Sequence, residues 1–258
     1  MRLGDLFLKI FSAAVLALLY TPIIVMALSS FNAGRSLLNF TGFSLTWYIK
    51  ALSNQRIITA LLNSILVAGI VTLLAILMAV LTAFAVDRLG RRLSFAYNNL
   101  LYVSIIIPEI AEALTIVLFF IWVSFPLGVY AVIIGHLVWF PIVYIVIRAR
   151  LVGMSKIFEE ASRVLGASWF RTFIHVTLPL LLPAIISGGL LIFTWSWDSF
   201  LKTQFTRSPG FETLPVYIWN TAAGRGRGIL PEVNAIATIS IAVSLTLAYL
   251  YVRLRTRD

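Results

Sequence analysis

The stretches Ile10 to Leu28, Ile57 to Val86, Ala113 to Ile147 and Val233 to Val252 each run without a single Asp, Glu, Lys or Arg. A helix rises 1.5 Å per residue, so about 20 apolar residues cover a hydrocarbon layer roughly 30 Å thick. The third stretch is long enough for two crossings, and Ser124-Phe125-Pro126-Leu127-Gly128 supplies a turn in its middle. Six crossings fit the pattern best, at 9–28, 60–86, 97–121, 128–148, 182–203 and 233–252. The prediction is an all-α transmembrane fold in a single domain spanning 1–258. Pro108 and Pro141 fall within these spans, where each can bend its helix by removing a backbone hydrogen bond.

Composition agrees. Of 258 residues, 60% are hydrophobic and 12% charged, with a mean hydropathy of +0.99. A soluble domain of this length would need far more charge to cover its surface. The net charge of +10 raises the question of nucleic acid. A nucleic-acid binder gathers Lys and Arg on one soluble face, whereas here they flank apolar segments and point to membrane orientation. No nucleic-acid partner is expected.

Six spans put both termini on one side. That side carries Arg2, Lys9, Arg88, Arg91, Arg92, Arg148, Arg150, Lys156, Arg163, Arg171, Arg253, Arg255 and Arg257, which is 13 basic residues. The other side carries Arg35, Lys50, Arg56, Lys202, Arg207, Arg225 and Arg227, which is 7. The positive-inside rule makes the first side cytoplasmic. Ile10 to Leu28 reads as a retained first span rather than a signal peptide, because 19 residues exceed the usual signal core and Thr21-Pro22 is a poor cleavage site.

Candidate chemistry is sparse. Cysteine is absent, so there is no disulfide, thiolate catalyst or Cys-based metal site. His136 and His175, 39 residues apart, suggest no metal centre. His136 reads as a hydrogen-bonded helix residue without a site role. No catalytic residue is expected, since no nucleophile arrangement accompanies the acids.

Asp198, Glu109 and Glu112 are the acids at membrane depth. A carboxylate in hydrocarbon costs several kcal/mol, so each should face the bundle, water or a cationic partner. Glu109 and Glu112 share one helical side and, with Asp198, could line an acidic passage for an ammonium-bearing solute. The alternatives are that one of them pairs with Arg148 or with a backbone group near a span end, or that the span is displaced enough to wet them. Glu232 suits the N-terminus of the last span, and Asn234 in its first turn could bond across the bundle or contact solute. The Trp47-Tyr48 pair fits either a contact with an external protein or an interfacial anchor.

The segment from Ala149 to Leu181 is long for a turn. Ile157, Ala161, Val164 and Leu165 fall on one helical face, with Glu159, Glu160 and Arg163 around it. Gly166 can end this helix, and Trp169, Phe170 and Phe173 supply a second apolar surface. So short a helix is marginal alone and must bury its face against its own bundle, the lipid interface or a separate partner.

Glu160-Ala161-Ser162, then Arg163-Val164-Leu165 and Gly166, then Leu178-Pro179 with Pro183 beyond, resembles the cytoplasmic signature of permease subunits of binding-protein-dependent ATP-binding-cassette (ABC) importers. Ser162 replaces the usual second Ala of the triplet. Further stretches resemble spermidine/putrescine permeases of the PotC-like type. They are Ser30-Phe31-Asn32, Gly42 to Tyr48, Pro108-Glu109-Ile110, Phe193-Thr194 with Ser196 and Asp198, Leu214-Pro215 with Tyr217, and Pro231 to Ala235 followed by Ala237-Thr238-Ile239. Ser199 departs from that group, whose members carry a second Asp there.

The resemblance implies a six-helix, type I, MetI-like permease with a coupling helix between the fourth and fifth spans. It implies a bacterial inner-membrane subunit working with a second, different permease chain, two cytosolic ATPases and an external solute-binding protein. Glu159, Glu160, Ala161, Ser162 and Gly166 are then the residues coupled to the ATPase; Glu109, Glu112, Asp198 and Asn234 are passage candidates. ATP and Mg would belong to the ATPases, because no Gly-rich loop ending Gly-Lys-Ser/Thr occurs in this chain. An ATP-independent ion channel or proton-coupled carrier would also explain the acids, but not the segment from Glu160 to Pro183.

Overall fold

Proline and glycine positions cut a nearly continuous helical chain into the elements of the computed structural model, which describes residues 3–35, 39–223 and 231–255. Arg2, Arg225, Arg227 and Arg257 of the charge count lie outside the described residues. In chain order the helices are α1 (Leu3–Ser30), α2 (Thr46–Ser53), α3 (Gln55–Arg88), α4 (Arg91–Ile106), α5 (Glu109–Trp122), α6 (Val129–Leu137), α7 (Phe140–Gly153), α8 (Ile157–Val164) and α9 (Trp169–Thr172). A π-helical turn (Phe173–Thr177) leads into α10 (Leu178–Asp198), followed by α11 (Leu201–Thr206), α12 (Leu214–Ala223) and α13 (Pro231–Arg255).

Among the described residues, five helical stretches are long and apolar enough to cross a membrane: Gly4–Ser30, Gln55–Arg88, Val129–Gly153, Trp169–Asp198 and Pro231–Arg253. The predicted crossing at 97–121 is not straight. It consists of α4 and α5, bent by 103° at Ile107-Pro108, and makes a sixth span if the pair is counted as one. Pro108 has no N–H to give and pushes the residue before it out of the helical region; Ile107 has ψ 130° and Pro108 ψ 133°.

The predicted span 182–203 is displaced the other way. Its helix begins at Trp169 and ends at Asp198. Arg171, His175 and Pro179 resemble loop composition. The wider π-helical turn carries the helix past Pro179, which cannot donate a backbone hydrogen bond.

The chain divides into two compact units. In the unit of Met1–Thr59 with Tyr217–Val243, Asn32 organises the loop after α1. Its Oδ1 accepts the Thr41 amide (2.8 Å) and hydroxyl (3.1 Å), and its Nδ2 donates to the Asn39 carbonyl (2.7 Å). The Trp47 indole donates to the Asn32 carbonyl (2.7 Å) and is buried. Tyr48 pairs with the Ser30 hydroxyl (2.6 Å) and packs on Phe31. Trp47 thus serves as an internal strut, a role the sequence does not suggest. Pro231 opens α13 with Glu232 in its first turn, as expected.

The unit of Ala60–Val216 with Ser244–Asp258 holds the main core, where Val71, Ala75, Ala79 and Ala83 of α3, Val143 and Ile147 of α7, and Leu181 and Ile192 of α10 are buried together. Small residues let helices approach closely in a bilayer, where no difference in hydrophobicity drives them together. Gly188 makes the closest contact of α10 with α7: a Cβ added there would lie 3.0 Å from the Val143 side chain and 3.5 Å from its Cα. Tyr144 donates to Asn98 (2.6 Å) and Arg148 to the Ser94 hydroxyl (3.2 Å), tying α7 to α4.

Gly188→Val should therefore force α10 away from α7 and destabilise the detergent-purified protein by about 1–3 kcal/mol, the usual cost of overpacking. Gly69→Ala in α3, where a Cβ meets nothing within 4 Å, should not. Thermal unfolding of the two variants in one detergent checks this; equal midpoints would remove Gly188 from the helix contact.

Candidate functional site

The break at Ile107-Pro108 starts a new helix inside the apolar layer, and Glu109 and Glu112 occupy its first turn. Free amides and the helix dipole favour a carboxylate there. Opposite, α10 ends at Asp198, and Ser199 is extended with ψ 110°. Between these two chain breaks lies a cavity of about 520 Å³, whose wall includes Glu109, Trp139, Thr194, Trp195, Asp198 and Ser199. Trp139 and Trp195 meet edge to face, with centroids 5.3 Å apart. The Ser244 hydroxyl donates to Asp198 at 3.1 and 3.2 Å, fixing the carboxylate while leaving it exposed.

Glu112 is placed differently from Glu109. It is buried, and its Oε2 lies 2.6 Å from Lys202 Nζ, whose side chain is 0% exposed. The same ammonium sits over the Trp139 ring, 3.4 Å from the centroid. By sequence, Lys202 falls among the basic residues outside the membrane, and Arg148 is a candidate partner for a membrane acid. In the structure Lys202 is internal, and Arg148 turns to Ser94 and the Tyr144 ring. The reason is desolvation. A buried carboxylate needs a counter-charge, and α11 folds back against α5 and α6 to deliver one.

Beside this pair lies His136, fully buried, with Nδ1 2.8 Å from the Ser196 hydroxyl and Nε2 3.0 Å from the Thr203 hydroxyl. It is a hydrogen-bonded helix residue, as expected, and it ties α6 to both α10 and α11. Sequence reasoning missed Lys202 as a site residue. The available signal was its place four residues after Asp198, still inside the predicted span 182–203.

The second candidate site is the segment from α8 to α9. Gly166 ends α8 with φ +85°, a left-handed conformation that suits glycine. Its amide donates to the Arg163 carbonyl (2.9 Å) and the Ala167 amide to the Ser162 carbonyl (3.1 Å), the paired bonds of a Schellman cap. Two of the residues grouped as partner contacts instead bond within the chain. Thr177 donates to Glu159 (2.8 Å), and Ser162 pairs with Thr172 (3.1 Å).

The Arg88 guanidinium covers the Trp169 ring at 4.4 Å, attaching the end of α3 to the same segment. Glu160 and Ala161 face outward, and Val164 and Leu165 are each 87% exposed. The apolar face of α8 is therefore not spent on this chain's own bundle. Asn234, the remaining passage candidate, is buried in the first turn of α13 in the other compact unit, where its carbonyl accepts the Thr238 hydroxyl (2.7 Å).

Comparison with known proteins agrees with this architecture. A family model described as the binding-protein-dependent transport system inner membrane component matches residues 72–257. A spermidine/putrescine transport system permease protein PotC from Haemophilus influenzae is 36% identical over 241 residues, covering 93% of each chain. The PotC protein of Escherichia coli K12 is 33% identical over 92% of this chain and 89% of its own, and the putrescine permease PotI of that strain is 29% identical over 86% and 80%.

Among solved structures, a chain of a bacterial ABC transporter that imports the acidic polysaccharide alginate superposes with a TM-score of 0.74 at 16% identity, covering 98% of this chain and 96% of the other. A chain of the MetNI methionine ABC transporter gives 0.56 at 16% identity, covering 80% of this chain and 99% of the other. At these identities the likeness concerns the fold alone. The chain belongs to the binding-protein-dependent family of ABC-importer permeases: it is a multi-pass inner-membrane subunit that moves a small solute, not a catalytic enzyme, and it is related to the PotC and PotI polyamine permeases.

Proposed function

We propose that the solute is a polyamine of the spermidine/putrescine type or a related small organic cation. The observation that carries this reading is the cavity at the two helix breaks, where Glu109 and Asp198 share a wall with Trp139 and Trp195. Carboxylates and indole faces are the groups that replace water around an ammonium. The relatives named for spermidine and putrescine support the same class, while Ser199 removes one acid that such members carry.

The machine that uses this passage has six crossings here, both termini in the cytoplasm, a second and different permease chain, two ATPases holding ATP and Mg, and an external solute-binding protein. The ATPase docks on the exposed face of α8 through Glu160, Ala161, Val164 and Leu165. Glu159 and Ser162 then act one step further in, as tethers to the π-helical turn and α9. That turn belongs to one helical stretch running from Trp169 to Asp198, about 45 Å at 1.5 Å per residue. A push on α8 is delivered through Thr177 to a rod whose far end carries Thr194, Trp195 and Asp198 of the cavity wall. Alternating access follows if ATPase closure biases this rod between two packed positions.

Asp198→Asn and Glu109→Gln should each lower ATP-driven uptake of an organic dication at limiting concentration by roughly tenfold or more, with assembly intact. That is the factor lost with a hydrogen bond to a charged group. Uptake by reconstituted complexes equal to that of the unmodified assembly would sink the cation passage.

Gly166→Val should strain the α8 cap by about 1–2 kcal/mol and uncouple ATP hydrolysis from uptake. A cysteine replacing Leu165 should cross-link to the ATPase groove, and one replacing Thr172, buried behind α8, should not. Cross-links at neither position, with and without ATP, would eliminate this docking face.

A further inference from the structure

The Glu112–Trp139 site has the chemistry of an ammonium seat, a carboxylate oxygen beside an aromatic face, and the chain fills it with an ammonium of its own. Lys202 Nζ lies 2.6 Å from Glu112 Oε2 and 3.4 Å from the Trp139 centroid, with no part of the side chain exposed. The seat adjoins the passage. Trp139 is also part of the cavity wall, and Glu109, on the same helical turn as Glu112, lies within electrostatic reach of Lys202. Three acids therefore stand at the two helix breaks, and one is already neutralised from within. Two carboxylates, Glu109 and Asp198, are left facing the cavity.

We infer that Lys202 is a specificity-determining residue: a tethered ammonium that occupies one of three carboxylate seats and so fits the passage to solutes carrying two ammonium groups rather than three. The inference rests on the cation reading above and adds the number of charges to it. Charge balance supplies the reason. A dication matches two open carboxylates, whereas a trication brings one ammonium that would enter the apolar layer without a counter-charge. Removing the Lys202 ammonium while keeping Glu112 opens the third seat. The vacated site offers a desolvated aromatic face and a carboxylate together, where a cation–π contact is at its strongest. Glu112 would then act as a solute ligand in the variant, although it is a structural partner in the native chain.

The test uses the complete assembly in proteoliposomes, with one binding protein presenting putrescine, a diamine, and spermidine, a triamine. In Lys202→Ala the spermidine-to-putrescine ratio of kcat/KM should rise by roughly tenfold over the unmodified assembly, the factor of one desolvated cation–aromatic contact. In Lys202→Ala with Glu112→Gln the ratio should return to its original value. A ratio unchanged in Lys202→Ala, or raised equally in the double variant, overturns the inference and leaves the ion pair as a structural tie.

A buried carboxylate without its partner can prevent assembly, so the same variant is also prepared with propylammonium in the medium. Recovery of the assembled complex with propylammonium but not with propan-1-ol supports the seat. Recovery with both, or with neither where Lys202→Ala fails to assemble alone, overturns it. If the unmodified assembly transports neither amine, the cation reading itself fails, and propylammonium-dependent assembly still reports on the seat.

Discussion

A backbone amide that crosses hydrocarbon has no water to bond, so every helix break within the apolar layer must be satisfied by protein. This constraint organises the molecule. Even at the turn between the third and fourth predicted crossings, from α5 to α6, the Gly128 amide donates to the Thr206 carbonyl at the end of α11 (2.9 Å). The breaks at Ile107-Pro108, at Val138-Trp139 and at Ser199-Phe200 bound helices that meet elsewhere: α5 and α6 both lie against α11. Interruptions expensive at the lipid surface are gathered where they face each other. The side chains of Glu109, Asp198 and Ser199, beside two of these breaks, wall the cavity.

The polar groups at these breaks act as ties as well as lining. Lys202 joins α11 to α5 through Glu112, and His136 joins α6 to α10 and α11 through Ser196 and Thr203. Hydrogen bonds between membrane helices are individually modest, but an unpaired charge there is costly, so the arrangement is strongly specified even if each bond adds little net stability. Trp139 lies at the junction, under the Lys202 ammonium and edge-on to Trp195. Any movement of α10 that shifts Trp195 is felt by the same indole that holds the ion pair.

The α8 segment and the cavity wall are joined by one continuous helical stretch. Glu159 reaches Thr177 in the π-helical turn, and Arg88 covers Trp169 at its start. A π-helical turn supplies the extra slack that a stretch containing Pro179 and Pro183 needs to remain a single rod. Attachment to α3 at one end and close packing of Gly188 on Val143 further along leave that rod few ways to move independently of the core.

Membrane class, the number of apolar stretches and the family-bearing segment from Glu160 to Pro183 were legible in the residues alone, because apolar length and ordered short motifs are local properties. The same holds for the Gly166 turn and for the start of α13 at Pro231. Pro108 marked a bend, but its 103° angle depends on how α5 packs against α11, which no local pattern contains. The true start of α10 was hidden because Arg171 and His175 look like loop residues when the helix around them is not visible. The fates of Glu109 and Glu112, three residues apart on one turn, separated only in the folded chain. Glu109 reached the cavity and Glu112 met a lysine 90 positions away, a pairing enforced by desolvation, which acts on spatial neighbours and not on sequence neighbours.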